Sequence, residues 1–416
     1  MNRIDLRYIE TKELNCKGCT NCCTVLRFHF PNGNTSFAGN KCEKIFFSKK
    51  SAKKKAYNAF EVKNKILFSS HTPFLEEVRG SIGIPRVLNM FENFPFWKTF
   101  FEACGFAVFL SPESNTKLYQ SGVGSVMSDN ICFPAKLVHG HILSLIEAKV
   151  DRIFYPIVPK EEKESAGSNN SYNCPVVSGY PDVIRSAIDP QANFGIPFDT
   201  PVINFANEKA LKEQCWEYLS SIVTNQSNES LEQVQNHTFA KITRKTFKLA
   251  FDKANTVRKT WNTEFIANQQ DILQKCIASG ELCFVVAGRP YHADLLVNQK
   301  AGQILSDLGV NVVTDDVFRQ PEGAGFRKLN FVSQWSYPNR VVQAAIEIAK
   351  LPQNVQLVQL NSFGCGPDSF FMDEIGEILR QAGKNHTVLR IDEIASPGSI
   401  RLRCRSLIES LKTTIG

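Results

Sequence analysis

The sequence predicts an α/β protein built from two lobes of parallel β-sheet. Two blocks of the chain alternate short apolar runs with amphipathic stretches, which is the pattern of successive strand–helix–strand units. In each block a strand is followed by a loop with proline, a helix, a glycine and a second strand, and a cysteine–proline turn precedes a later helix. This shared plan is typical of two Rossmann-like halves, and an ancient duplication would explain it.

The first block starts at Ile82, and the second starts at Leu282. The strands predicted from apolar residues are Ile82–Leu88, Phe106–Leu110, Arg152–Val158, Leu282–Ala287, Val310–Thr314, Val355–Leu360 and Thr387–Ile391. The predicted helices are Phe94–Cys104, Ala135–Ala148, Asn298–Leu308, Val341–Lys350, Met372–Gln381 and Arg401–Lys412. We therefore expect a cysteine-rich module over 1–45, a basic linker over 46–80, a first lobe over 81–204, a helical insertion over 205–281 and a second lobe over 282–416.

Charge is concentrated in one part of the chain. The 416 residues carry a net charge of +7, and the segment from Lys41 to Lys65, with nine lysines against Glu43 and Glu61, accounts for all of it. We interpret this segment as a solvated basic linker or helix, with a docking patch for an acidic partner as the alternative. Nucleic-acid binding is not expected, because no known module or aromatic stacking pattern accompanies the lysines.

Several classes of protein are excluded by what the sequence lacks. No apolar run reaches the roughly 18 residues of a membrane span, and no Gly-x-Gly-x-x-Gly or Gly-x-x-x-x-Gly-Lys-Ser/Thr motif predicts a nucleotide site. The N-terminus has no apolar signal region. We therefore expect a cytoplasmic protein whose 13 cysteines are thiols or ligands rather than disulfides.

Three cysteines share a local pattern that the others lack. Cys132, Cys174 and Cys365 are each followed by proline, at once or after one residue. A helical pattern starts immediately after the first and third turns, and at Pro181 after the second. A thiol just ahead of a helix lies at the positive end of the helix dipole, which favours the thiolate. Three such thiolates in loops at strand ends would suit an iron–sulfur cluster, unless the pattern is a coincidence in a cysteine-rich chain.

The N-terminal cysteines form a second group. Two residues separate Cys16 from Cys19 and Cys19 from Cys22, and two cysteines at this spacing chelate a metal with little strain in the loop. Cys23 follows directly, and Cys42 lies further along the chain. We predict a metal site with Cys16, Cys19, Cys22 and Cys42 as ligands. The spacing does not decide between zinc and an iron–sulfur cluster.

The remaining cysteines are expected to be structural. They lie inside predicted helices or strands with apolar neighbours, where a cysteine acts as a small buried apolar side chain. These residues are Cys104, Cys215, Cys276, Cys283 and Cys404.

Four polar residues are candidates for binding or protonating a substrate. Arg289 and His292 follow a predicted strand, where a charged substrate group could be held. His139 and His141 lie two residues apart on a predicted helix, so they cannot both face one site. The alternative for each histidine is a structural hydrogen bond.

Five motifs together resemble those of the acyl-CoA dehydratase activase-related proteins, which are relatives of 2-hydroxyacyl-CoA dehydratase subunits and double-cubane cluster proteins. The motifs are Ile84–Met90, Cys132–His141, Tyr172–Pro175, Ala287–His292 and Asn361–Asp368. The resemblance extends from about Cys16 to the C-terminus.

The resemblance implies a [4Fe-4S] cluster between the two lobes, because three cysteines hold such a cluster in the related dehydratase subunits. By similarity Cys132, Cys174 and Cys365 take this role, and a single cubane or a double cubane both stay open. The resemblance also implies an ATP-dependent activase as the source of low-potential electrons and an acyl-CoA or another small oxidant as the substrate. Family members often carry activase domains ahead of the matched region, whereas this sequence begins at the Cys16 module, so we expect that a separate activase supplies the electrons or that this coupling is lost.

Three functions are compatible with these features. The first is an iron–sulfur enzyme subunit of the lyase or reductase type. The second is a non-catalytic iron–sulfur scaffold or regulatory partner of an activase. The third is a two-lobed ligand-binding protein with zinc at its N-terminus. The sequence leaves the oligomeric state open.

Overall fold

The structure is a computed structural model that describes residues 10–17, 24–30, 35–38, 55–68, 78–165, 167–229, 242–319, 332–393 and 397–415. These residues form two four-stranded parallel sheets, a three-stranded antiparallel sheet, a two-stranded parallel sheet and helices on their faces. The predicted α/β class with Rossmann-like parallel sheets is confirmed. Among the residues described, no helix is both long and apolar enough to cross a bilayer.

The N-terminal module is an antiparallel sheet of β1 (Glu10–Asn15), β2 (Thr24–His29) and β3 (Thr35–Ala38). The pairing of Asn15 with Thr24 places Cys16 at the first position of the connection between β1 and β2. The other predicted ligands, Cys19, Cys22 and Cys42, and the neighbouring Cys23 lie outside the described residues. The N-terminal metal site therefore stays a prediction.

Part of the basic segment is folded rather than solvated. Most of its lysines lie outside the described residues, but its end forms α1 (Ala59–Phe68). Lys63 on this helix is only 3% exposed, and its Nζ lies 2.8 Å from Asp316 Oδ2 in the second lobe. The interpretation of this segment as a solvated linker or helix is therefore wrong at Lys63.

The first lobe contains a parallel sheet with the strand order β5-β4-β6-β8 and a small sheet of β7 and β9. Its elements are β4 (Ser81–Ile84), α2 (Met90–Ala103), β5 (Ala107–Leu110), α3 (Thr116–Gly122), α4 (Phe133–Glu147), β6 (Arg152–Phe154), β7 (Ile157–Lys160), α5 (Pro175–Ala187), α6 (Pro190–Phe194), β8 (Phe198–Asp199) and β9 (Val202–Asn204).

Prolines explain where this lobe departs from the prediction. Pro85 has no amide hydrogen for the strand ladder, so the strand expected over Ile82–Leu88 ends at Ile84. The strand expected over Arg152–Val158 is divided at Pro156 into β6 and β7.

Helix α5 also departs from the prediction at a proline, because it begins at Pro175 and not at Pro181. Proline in a helix interior costs about 3 kcal/mol. The helix continues through Pro181 because Val177, Tyr180 and Ile184 bury one face of it. Burial of that face outweighs the cost of the proline, and Cys174 becomes the residue that directly precedes the helix.

Two long helices follow the first lobe, α7 (Glu208–Glu229) and α8 (Arg244–Ser279). A capping box between Thr243 and Thr246 starts α8, and Gly280, with a φ of +74°, ends it. Aromatic side chains pack α8 on α2. The ring centroids of Phe96 and Phe251 lie 5.7 Å apart. The long apolar helix of the first lobe is thus covered by the polar helical segment expected from the sequence.

The second lobe repeats the plan of the first, with the strand order β11-β10-β12-β13. Its elements are β10 (Cys283–Ala287), a 3-10 turn (Pro290–Ala293), α9 (Ala301–Asp307), β11 (Asn311–Thr314), a 3-10 turn (Asp315–Phe318), α10 (Ser336–Ile348), β12 (Val355–Ser362), α11 (Gly366–Gln381), β13 (Thr387–Ile391) and α12 (Pro397–Ile415). In both sheets the first strand lies between the second and the third. The strand order therefore reverses between β10 and β12, and ligands of open α/β sheets bind at such a point.

Candidate functional site

Three helices begin at the three cysteines that share the proline pattern. Cys132 directly precedes α4, Cys174 precedes α5 and Cys365 precedes α11. Each helix has proline in its first turn, where the missing amide hydrogen is not needed. The sequence predicted this arrangement for Cys132 and Cys365, and the early start of α5 extends it to Cys174.

The thiols of these cysteines lie close enough to influence one another. Burial raises the pKa of Cys132 to about 12, and the thiols of Cys365 and Cys174 add to that rise. Burial likewise raises the pKa of Cys365 to about 11, with a further contribution from Cys174. Two cysteines of the first lobe and one of the second therefore meet at one place.

Gly364 helps to bring the second lobe's cysteine to this place. Its φ of +75° is unfavourable for residues with a side chain. A Cβ at this position would lie 2.8 Å from the carbonyl oxygen of Asn130, which belongs to the loop just ahead of Cys132. Close contact between the two cysteine loops thus depends on a glycine beside Cys365.

The helix N-termini act on two of the thiols, Cys132 and Cys365, in the direction that the sequence predicted. The first-turn amides of Ala135 and Asp368 do lower the pKa of Cys132 and Cys365, but burial outweighs both. Without a bound cation these two thiols keep their protons at neutral pH. A metal would have to displace those protons as it binds.

Three thiols are a donor set of the kind that iron–sulfur clusters use. Within the described part of the chain, no three histidine, cysteine, aspartate or glutamate side chains are arranged to hold one metal ion. The ligands of one zinc ion all lie within about 2.3 Å of a single point. A cubane presents a different iron to each thiolate, so its ligands stand further apart. Three neighbouring but separate thiols are compatible with that arrangement.

Arg289 contacts the thiol site from the end of β10. Its Nη2 lies 3.7 Å from Cys365 Sγ, and the same nitrogen forms an ion pair with Asp368 in the first turn of α11. Asn361 Nδ2 donates to the second oxygen of Asp368 at 2.7 Å. Arg289 is 6% exposed. The sequence suggested that Arg289 could hold a charged substrate group. In the structure its guanidinium already has a buried carboxylate partner, Asp368.

His292 stabilises the loop that contains Arg289 through hydrogen bonds. Its Nδ1 accepts the backbone N–H of Arg289 at 3.0 Å, and its Nε2 lies 3.2 Å from Ser362 Oγ. Gly288 permits this, because a Cβ there would lie 2.2 Å from His292 Nδ1. Burial and Arg289 lower the pKa of His292 to about 3. Both ring nitrogens are engaged, and a catalytic role stays a prediction.

The two histidines of α4 have separate surroundings, as their spacing predicted. His139 lies between Ser125 Oγ at 2.8 Å and the Tyr180 hydroxyl at 3.1 Å, and burial lowers its pKa to about 4. His141 contacts Ser111 and Ser114 at 2.7 and 2.9 Å. Tyr180, the partner of His139, lies near the thiol site, since the Cys132 thiol adds to the rise that burial causes in the tyrosine's pKa.

Tyr291 is a site residue that the sequence did not single out. Burial raises its pKa, Arg289 opposes that rise, and the thiols of Cys132, Cys365 and Cys174 all add to it. Tyr291 is thus coupled to every cysteine of the site and to the arginine. Its position between Arg289 and His292 in one motif was the only available signal.

Exposed apolar side chains lie near each of the three cysteines in the sequence. Met127 precedes Cys132, Tyr172 precedes Cys174, and Phe363 and Phe370 flank Cys365; we call these four residues the apolar rim. All are at least 39% exposed, with Met127 at 68%. The Phe370 ring lies 5.8 Å from that of Trp335. Every loop that delivers a thiol therefore also presents an apolar side chain to solvent.

A network of buried ion pairs joins the lobes beside the site. Arg340 Nη2 lies 2.6 Å from Glu164, and its Nη1 lies 2.9 Å from Asp316. Arg319 contacts Glu92 at 2.6 Å. Burial raises the pKa of Glu92, but Arg319 and Arg340 outweigh it and lower the pKa to about 2. With Lys63, three cations face three carboxylates, so the network is balanced.

A fourth carboxyl, Asp315, has no cationic partner of its own. Its Oδ2 is buried without a hydrogen-bond partner and lines a cavity of about 10 Å³. Burial and the neighbouring Asp316 raise its pKa from 3.8 to about 7. The folded protein therefore holds a proton that the unfolded chain releases between about pH 4 and pH 7, so this group destabilises the fold progressively as the pH rises through that window.

Asp315→Asn should consequently stabilise the protein more at pH 8 than at pH 5. The amide mimics the protonated acid, and we expect the gain at pH 8 to exceed that at pH 5 by about 1 kcal/mol or more. Urea unfolding at the two pH values measures the difference. Asp316→Asn is the control and should destabilise at both, because it removes partners of Lys63 and Arg340. An equal effect of Asp315→Asn at both pH values would contradict the raised pKa.

Comparison with known families identifies the chain. Residues 81–318, more than half of the sequence, match the family described as "CoA enzyme activase uncharacterised domain". The chain belongs to this family. The match confirms the activase-related resemblance of the motifs. The matched region of the CoA enzyme activase domain includes Cys132, Cys174 and Arg289 and ends before Cys365.

The other comparisons give no information about the function of this CoA enzyme activase domain. No curated protein matches the chain. A ZnuA crystal structure aligns at 10% identity and a TM-score of 0.24, over 80% of this chain and 99% of that one. The C-terminal domain of a glucosamine-fructose-6-phosphate aminotransferase from Francisella tularensis aligns at 9% identity and a TM-score of 0.21, over 86% and 94%. Likenesses this weak carry no argument.

Proposed function

We propose that the protein is an iron–sulfur redox protein similar to 2-hydroxyacyl-CoA dehydratase subunits. Cys132, Cys174 and Cys365 would hold a [4Fe-4S] cluster between the two lobes. The observation that carries the proposal is the meeting of these three thiols, each at the start of its own helix, with Cys365 and Cys174 acting on Cys132 and Cys174 acting on Cys365. Membership of a CoA enzyme activase family supports it.

The protein's own residues would position and shield the thiols. Asp368 fixes the guanidinium of Arg289, and Arg289 in turn offers an N–H to Cys365 Sγ. Hydrogen bonds to ligand sulfur raise the reduction potential of a cluster. Tyr291 is 5% exposed and helps to exclude water. When bound, the cluster would supply one-electron reduction, and three protein ligands would leave one iron open to a small molecule.

A separate ATP-dependent activase is the proposed electron donor, and an acyl-CoA or another small oxidant the proposed acceptor. The sequence has no nucleotide-binding motif of its own. Electron transfer requires the donor to approach the thiols, and the residues of the apolar rim are exposed on the chain segments that carry them. Exposed apolar surface of this kind is typical of protein–protein contacts. The rim, more than the lysine-rich segment, is therefore the proposed contact for the activase.

Anaerobic purification followed by counting of iron, acid-labile sulfide and zinc tests the cofactor. A single cubane at the three thiols gives about four irons and four sulfides per chain. About eight irons would mean a double cubane, or a second cluster at the N-terminal module. A protein reconstituted anaerobically that contains zinc and no iron would contradict the proposal and favour the zinc-containing ligand-binding protein.

The second candidate is a non-catalytic iron–sulfur scaffold or regulatory partner of an activase. It is favoured by the engagement of the predicted catalytic groups. Both ring nitrogens of His139 and His292 are hydrogen-bonded, and Asp368 already pairs with Arg289. Mixing the reduced protein with a series of acyl-CoA thioesters separates the candidates, because an enzyme subunit is reoxidised by its substrate and a scaffold is not.

A further inference from the structure

Two buried cysteines outside the site lie next to each other in the second lobe. Cys276 is in the last turn of α8, and Cys283 is the first residue of β10. Asn354 ties both to the sheet, because its side-chain N–H donates to the Cys276 carbonyl at 2.8 Å and its own carbonyl accepts the Cys283 N–H at 2.9 Å. The short turn around Gly280 therefore brings the end of α8 and the start of β10 together at these two cysteines.

The two thiols are not equivalent. The Cys283 thiol hydrogen-bonds to the Cys276 sulfur, and the side-chain amide of Asn311 donates to the same sulfur at 3.3 Å. The hydrogen bond from Cys283 lowers the pKa of Cys276, burial opposes this, and Asn311 reinforces it. Glu281 is the charged group that opposes ionisation. Cys276 thus has the environment of an attacking thiolate, with a second thiol within reach.

A second pair of buried cysteines shows the contrast. The thiols of Cys104 and Cys215 also influence each other electrostatically. Burial raises the pKa of Cys104 to about 12, and burial with the Cys104 thiol raises that of Cys215. Thiols that stay protonated are inert towards oxidants. The Cys104 and Cys215 pair is therefore a control within the same chain.

We propose that Cys276 and Cys283 are a redox-active pair that peroxide converts to an intramolecular disulfide. The Cys276 thiolate attacks one oxygen of hydrogen peroxide, the O–O bond breaks, and a sulfenic acid and hydroxide form. Cys283 sulfur then attacks the sulfenic sulfur, its proton leaves with the released hydroxyl as water, and the S–S bond forms. In total two thiols and one peroxide give one disulfide and two waters.

Access to Cys276 comes from the end of α8. Both thiols are at most 2% exposed, but the residues that follow Cys276, from Ala278 to Glu281, are exposed. The last turn of a helix frays more readily than its centre. Small oxidants such as peroxide can therefore reach Cys276 by local opening, and the proposal does not depend on a cluster at the other three cysteines.

The test treats the full-length protein with increasing hydrogen peroxide, blocks free thiols with N-ethylmaleimide, and maps unreduced peptides by mass spectrometry. We expect a peptide that links Cys276 to Cys283 at low peroxide and no peptide that links Cys104 to Cys215. In Cys283→Ser, which keeps a hydroxyl donor for the Cys276 sulfur but cannot form the disulfide, dimedone should label Cys276 more than Cys104, by about tenfold for each unit of pKa between the two thiols.

Two outcomes would overturn the proposal. One is the absence of the Cys276–Cys283 peptide at peroxide concentrations that oxidise other cysteines of the chain. The other is equal dimedone labelling of Cys276 and Cys104 in Cys283→Ser. If Cys283→Ser does not fold, judged by circular dichroism, the peptide map of the unaltered protein still decides whether the pair forms a disulfide.

Discussion

Cys365→Ser is expected to remove most of the iron and the visible absorbance of the protein while its fold stays intact. Cys365 is partly exposed and directly precedes α11, and serine is among the best residues at that position of a helix. The change therefore preserves the start of the helix. It replaces the soft thiolate ligand that iron–sulfur clusters require. Iron and sulfide content, the absorbance spectrum and far-UV circular dichroism measure the result.

Cys404→Ala is the matched control for that substitution. Cys404 is buried in α12 at 2% exposure, away from the three helix starts, and should lose about 1 kcal/mol of stability and no iron. Cys132→Ser and Cys174→Ser should behave like Cys365→Ser. Full retention of iron in Cys365→Ser would refute its assignment as a ligand, and equal loss in Cys404→Ala would show that the loss reflects general unfolding.

Arg340→Met should produce the largest loss of stability among the polar substitutions considered. Arg340 is 5% exposed and contacts Glu92, Glu164 and Asp316. Methionine fills a similar volume, but it removes one cationic partner from each of these buried carboxylates. Breaking a buried ion pair from one side costs about 3–5 kcal/mol. Urea unfolding followed by tryptophan fluorescence measures the change in the free energy of unfolding.

An exposed arginine provides the comparison for Arg340. The Arg244 side chain is 59% exposed and pairs with Glu213 at 3.1 Å. Arg244→Met should cost at most about 1 kcal/mol, as is usual for ion pairs at the surface. If Arg340→Met costs no more than Arg244→Met, the buried network does not hold the lobes together.

Local sequence pattern was sufficient for the parts of the site that local chemistry determines. Proline after Cys132 and Cys365 predicted a helix start at each of these cysteines, and both are found. The apolar surroundings of Cys276 and Cys283 predicted their burial, which is also found. The family resemblance was available from five short motifs, and the family match confirms it.

Long-range packing explains what the sequence could not reveal. The protonated state of Cys132 depends on its burial in the folded protein, and the lysine-rich composition gave no sign that Lys63 would pair with Asp316. Pro181 misled the prediction of α5, because the buried face that overrides it is visible only in the fold. Tyr291 is likewise coupled to all three cysteines by the packing of residues that lie far apart in the sequence. These features arise from residues far apart in the chain.

The contact between the loop of Cys174 and the second lobe has a consequence for biosynthesis. The backbone N–H of Tyr172 donates to the carbonyl of Gln334, and its carbonyl accepts the N–H of Ser336, both at 2.9 Å. A ribosome delivers Cys174 well before these partners and before Cys365. Native contacts of such large sequence separation form late. A nascent chain therefore has no complete thiol site, and any cofactor must be loaded after translation has passed α11.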